Sequence, residues 1–174
     1  MSKKYVVKFA GLADGEHKFE FHVDKELLQE FEVEEVCDVD LLLNFTLEKR
    51  ERMLTFLFDM KGSIVVLCDR CLESLTVPMT INQTYYVKFG ESYEELEENL
   101  CVIPENEHSF DLSKLIYEYI MLYKPMRCVH GEVDGSTGYC DIDLPDFTEV
   151  MEYENEEEKE TEPRWDVLKQ IKFD

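Results

Sequence analysis

The side chains of this 174-residue sequence best suited to chemistry are its six cysteines, Cys37, Cys68, Cys71, Cys101, Cys128 and Cys140, and its four histidines. Two of the cysteines stand two residues apart, in Cys68-Asp69-Arg70-Cys71. Such a pair serves two chemistries. At a helix N-terminus, the dipole and free amides depress the pKa of the first thiol and make it an attacking thiolate. At a tight turn, the same gap aims both sulfurs at one point, and a tetrahedral zinc ion then needs two more soft or borderline ligands. The residues after Cys71, Leu-Glu-Ser-Leu-Thr-Val-Pro, carry no helical period and place the pair at a turn between strands. Further along, Cys128, His130 and Cys140 supply one ligand candidate more than a closed four-coordinate site requires.

The third reading of any cysteine is a small buried hydrophobe. Cys37 and Cys101 fit it, because each lies in apolar–polar alternation with no ligand partner nearby in sequence. His17, His22 and His108 have no ligand spacing to a cysteine and read as surface or edge residues. Disulfides are not expected. The Met-Ser-Lys-Lys-Tyr start lacks the apolar run of a secretory signal, and no stretch approaches the ~18 apolar residues of a membrane span, so the expected location is the cytoplasm, where thiols stay reduced.

The elements that must position the cysteines are mostly strands. Phe19, Phe21 and Val23 alternate with charged neighbours, and Asp24 then caps a short helical run, Lys-Glu-Leu-Leu-Gln-Glu. Leu54, Phe56, Phe58 and Met60 share one face of a strand, Lys61-Gly62-Ser63 offers a turn, and the apolar run from Ile64 to Cys68 suits a buried strand. Ile81, Gln83, Tyr85, Val87 and Phe89 point one way and Thr80, Asn82, Thr84, Tyr86 and Lys88 the other, as in a half-buried antiparallel strand. An acidic exposed loop is expected over 90–99. Leu112, Leu115, Ile116, Tyr119, Ile120 and Tyr123 then form one helical stripe, with Asp111 as its cap, Phe110 clasping Leu115, and Pro125 ending it. These features predict an α+β fold: a mainly antiparallel β-sheet, barrel-like or strongly curved, with one packed amphipathic helix and short flanking helices. Residues 1–145 are expected to form one domain with a metal-clipped loop, 146–162 an acidic mobile segment, and 163–174 a short helix carrying Trp165, Leu168 and Ile171.

"VLCDRCLESLTVPM", "FDLSKLIYEYIMLYKPM", "VH" followed by "C", and the closing "RWDVLKQIK" together resemble the YceD-like family of large ribosomal RNA subunit accumulation proteins. The resemblance runs from about residue 15 to 172. It implies a non-enzymatic factor needed for normal levels of large-subunit (23S) ribosomal RNA, with a metal site on the cysteines. The family's cysteine pair falls on Cys68 and Cys71, and its later His and Cys on His130 and Cys140. Tyr123-Lys124-Pro125 stands where the family usually has Leu-Pro, and other branches place a cysteine where Cys128 is, so Cys128 stands as the alternative ligand.

Charge bears on the partner. Forty acidic against 18 basic residues leave a net charge of −22, and removing 146–162, with nine acids and one lysine, leaves −14. Nucleic-acid affinity comes largely from Lys and Arg displacing phosphate counterions, so direct RNA contact is not expected to dominate. A basic ribosomal protein or assembly factor, drawn by long-range electrostatics, fits better. No zinc-protease, Ser-His-Asp, Walker A or dinucleotide-binding pattern appears, which favours a structural zinc over an enzyme. The alternatives are a thiol-disulfide oxidoreductase using Cys68 and Cys71, and a metal-clipped adaptor unrelated to ribosomes.

Overall fold

The computed structural model describes residues 4–33, 35–133, 135 and 140. In chain order they form β1 (Val6–Lys8), β2 (Gly15–Val23), α1 (Lys25–Glu30), β3 (Val36–Arg50), β4 (Met53–Leu67), β5 (Ser74–Gly90), β6 (Glu94–Glu97), β7 (Leu100–Pro104), β8 (Ser109–Asp111) and α2 (Ser113–Tyr123). Six strands make one sheet in the order β2-β3-β4-β5-β7-β6, and β1 pairs with β8 in a second, two-stranded sheet. The fold is α+β, but the expected barrel-like closure does not form: β2 and β6 end an open sheet. One pairing also departs from the antiparallel expectation, since β5 and β7 run parallel.

Side-chain alternation decides which face is buried. On β4, Leu54, Phe56, Phe58, Met60, Ile64 and Val66 point inward, followed by Cys68 just past the strand; on β5, Leu75, Val77, Met79, Ile81, Tyr85 and Val87 do the same. Phe45 of β3 meets Phe56 at 5.3 Å and Phe58 at 5.2 Å, both edge to face. Each such phenylalanine contributes roughly 1.5–3 kcal/mol by leaving water. Helix α2 lies over this layer through Leu115, Ile116, Tyr119 and Ile120, with Tyr119 5.2 Å from Phe58. Tyr123, expected in the same stripe, is 39% exposed and accepts a hydrogen bond from Gln83.

Several expectations at element ends need correction. Lys61-Gly62-Ser63 is not a turn: β4 runs straight through it, with Gly62 opposite Leu41 of β3. Gly62 is required there because φ is 153° and a Cβ would lie 2.1 Å from the Asp40 carbonyl oxygen. The acidic segment 90–99 is exposed as expected but contains β6, antiparallel to β7. Asp111 belongs to β8, so the first capping position of α2 falls on Leu112; the Asp111 carboxylate still accepts the Ser113 amide at 2.9 Å. Phe110 faces Phe56, at 5.1 Å. Asp24 caps α1 as expected, accepting the Glu26 amide, and Lys124 is extended (ψ 128°) before Pro125. The expected segments 146–162 and 163–174 lie outside the described residues, among which no helix is long and apolar enough to cross a membrane.

Gly62→Ala is expected to lower unfolding free energy by about 3 kcal/mol, since strand backbones must part to admit the methyl group. An unchanged urea midpoint overturns this account of β4.

Candidate metal centre

Cys68 follows the last residue of β4 and continues its inward row, and the chain turns immediately after it. The Cys68 amide donates to the Glu73 carbonyl (2.8 Å) and the Leu72 amide to the Cys68 carbonyl (2.9 Å), closing a tight turn between β4 and β5. Leu72 takes φ 60°, a left-handed conformation costing on the order of 1 kcal/mol. The turn thus brings Cys71 back beside Cys68, as the two-residue gap predicts, and no helix follows.

The two residues inside the pair tie this turn to the loop after α2. Asp69 and Cys128 exchange two bonds: the Asp69 amide donates to the Cys128 carbonyl (2.8 Å), and the Cys128 amide donates to Oδ2 of Asp69 (2.6 Å). Arg70 donates to Glu132 at 2.8 Å, and Arg127 reaches the same carboxylate at 3.4 Å. Sequence spacing singled out the cysteines but missed Asp69, Arg70 and Glu132. Nothing in the sequence marks Asp69 or Arg70 apart from their place inside the pair.

Held this way, the loop delivers His130 and Cys140. Nδ1 of His130 lies 3.4 Å from the Cys71 sulfur and 3.8 Å from that of Cys140, and the Cys68 and Cys140 sulfurs are 3.6 Å apart. One ligand atom from each of Cys68, Cys71, His130 and Cys140 falls within 4.8 Å of all the others. Bonds of about 2.3 Å from a central zinc would separate tetrahedral sulfurs by about 3.8 Å, so the shorter contacts match tetrahedron edges. The four side chains are close enough to bind a metal ion. Gly135, with φ 74°, helps the loop return: a Cβ there would meet Pro78 of β5 at 2.8 Å.

Cys128 is elsewhere. Buried at 4% exposure, it donates its thiol to the Pro125 carbonyl (3.4 Å), and burial pushes its pKa up. Cys101 is fully buried and Cys37 half-buried, the latter at the β-bulge of β3, so neither joins the cluster. Burial also raises the Cys140 thiol, helped by hydrogen bonds with Cys68 and Cys71. Cys68 behaves oppositely. Burial opposes its charge, yet the amides of Cys71, Arg70 and His130 converge on its sulfur and, with the Cys71 side chain, bring its pKa down to about 5. The arrangement therefore presents a ready thiolate in a nest of amides, with a second thiol, a third thiol and an imidazole around it.

The family model of the large ribosomal RNA subunit accumulation protein YceD matches residues 57–172, a span that contains all four clustered side chains and the whole of α2. The chain belongs to this family. No curated protein and no solved structure matches it. The YceD match begins within β4, so β1, α1 and the first two strands of the six-stranded sheet, β2 and β3, precede the matched span.

Asp69→Ala removes the acceptor of the Cys128 amide. Hydrogen exchange at that amide is expected to accelerate on the order of tenfold, while amides in the middle of β3 and β4 keep their protection. Unchanged exchange at Cys128 overturns the clasp.

Proposed function

We propose that this protein is a non-enzymatic ribosome biogenesis factor acting in the cytoplasm, that it supports accumulation of the 23S ribosomal RNA through a basic ribosomal protein or assembly factor, and that Cys68, Cys71, His130 and Cys140 hold a structural zinc ion. Membership of the YceD family carries the ribosomal part of this reading. The convergence of three sulfurs and one imidazole supports the zinc. Three cysteines and a histidine complete a tetrahedron and leave no open position for substrate, which is the pattern of a structural rather than a catalytic ion. Zinc would join the β4–β5 turn to the loop after α2, doing covalently what Asp69 and Arg70 do with hydrogen bonds. Net charge of −22 disfavours phosphate contacts and supports a basic protein as the partner.

The low Cys68 pKa is the observation that favours thiol-disulfide exchange instead. Access argues against it. The Cys68 sulfur belongs to a residue with no exposed surface, enclosed by Cys71, His130 and Cys140, so an incoming disulfide cannot reach it in line. The same amide nest that would activate a nucleophile also prepares a metal ligand, because thiolate is the form that binds zinc.

Elemental analysis of protein purified without chelator is expected to find stoichiometric zinc. Cys71→Ser should lose the metal and on the order of 3 kcal/mol of stability, whereas Cys128→Ser should keep the metal. Metal-free protein with ordinary stability, or a Cys71→Ser variant that retains zinc, overturns the site. Depletion in cells should lower large ribosomal subunits on gradients together with their RNA; normal levels of both overturn the ribosomal role. Recovery of exclusively non-ribosomal partners in a pull-down would instead indicate a metal-clipped adaptor.

A further inference from the structure

A cavity of about 390 Å³ opens between α2, β6–β7 and β8. Its floor is apolar and aromatic, formed by Tyr85, Ile103, Phe110 and Leu115. Its rim is acidic. Lys114 is the only cation among its lining residues, and it is already taken: Glu95 accepts from it at 2.8 Å and Glu118 lies 3.6 Å away. Glu95 also accepts from the Tyr93 hydroxyl at 2.8 Å. Glu97, Glu98 and Glu107, by contrast, have carboxylates without any hydrogen bond or ion pair among the described residues. Their charges face solvent around an apolar hollow.

That combination discriminates between occupants. A nucleic acid would bring phosphates against unpaired carboxylates, which repel it. A second copy of this chain meets the same obstacle, because β6, the open edge of the six-stranded sheet, reads Glu-Glu-Leu-Glu and would lie against identical charges. A neutral apolar ligand would use the floor and leave the rim idle. A segment of polypeptide that alternates Lys or Arg with apolar side chains uses both: anchors fill the hollow, cations meet the free carboxylates and the exposed ring of Tyr93, and its backbone can extend along the unpaired edge of β6.

We propose that this groove is the docking site for a cationic, apolar-anchored segment of a partner protein. The assignment rests on the reading that a basic protein is the partner, and it locates where that partner binds. Exposed Leu96 and Tyr93, at 48% and 57% of their surface, stand beside the groove and extend the apolar contact available to such a segment.

The test uses the full chain and three fluorescent probes: the peptide Lys-Leu-Arg-Phe-Lys-Leu-Arg, an equally charged peptide with Gly and Ser in place of the apolar residues, and a single-stranded RNA oligonucleotide. At about physiological ionic strength the anchored peptide is expected to bind at least about tenfold more tightly than the unanchored one, with RNA weakest. The variant Glu97→Lys/Glu98→Lys/Glu107→Lys should weaken the anchored peptide at least about tenfold, and the neutral Gln triple should do so by a smaller factor. Asp14→Lys/Glu16→Lys/Glu20→Lys makes the same change in net charge at and beside β2, the other edge strand of the sheet, and should cost less than about threefold. Equal binding of the two peptides, equal losses in the two Lys triples, or RNA binding tighter than peptide overturns the proposal. Specific peptide binding combined with normal ribosomal RNA after depletion supports the groove and removes only its ribosomal setting.

Discussion

The two hydrogen bonds exchanged between Asp69 and Cys128 fix where the loop after α2 meets the β4–β5 turn, and the cysteine cluster depends on that meeting. One bond is backbone to backbone and sets the height of the loop; the other engages a carboxylate and is the stronger kind, charge-assisted and short. With the Arg70–Glu132 pair beside it, the clasp makes the loop continuous with the sheet before any metal is considered. Pro125 ends the helix and Val129 is buried just before His130, while Gly135 lies against Pro78 of β5.

A second dependence runs through the sheet. The two-residue period of β4 carries one inward row from Leu54 through Met60 and, past Gly62, from Ile64 to Val66, with Cys68 continuing it just after the strand; Gly62 lets β3 and β4 stay in register where a side chain would force them apart. The same row that builds the core therefore buries the first thiol of the pair. Burial alone would hold that thiol protonated; two amides of the turn, Arg70 and Cys71, and the His130 amide of the loop after α2 override it. Core packing follows from the strand, and thiolate chemistry from the turn and the loop that meets it.

The cysteine cluster and the acidic groove are lined by different residues on different elements of the fold. The groove is framed by β6 and β8, short strands whose sequences are polar, whereas the cluster is framed by the longest strands in the sheet. Long paired strands give the cluster rigidity; the short edge leaves main-chain groups available to a partner.

The inward rows of β4 and β5, the apolar face of α2, the Asp24 cap and the stop at Pro125 were all legible in the sequence, because each depends on local periodicity or on one residue's own conformational preference. The pairing of Cys68 with Cys71 was legible for the same reason. The β6 strand and the openness of the sheet were not, since an exposed acidic edge strand has the composition of a loop and closure depends on distant partners. Gly62 misled for a related reason: a glycine needed for close approach of two backbones looks, in sequence, like a glycine needed for a turn. Only the tertiary structure places His130, and not Cys128, beside Cys68, Cys71 and Cys140. Both residues carry suitable ligand atoms two positions apart, but with its amide held by Asp69 the Cys128 residue directs its thiol to the Pro125 carbonyl instead.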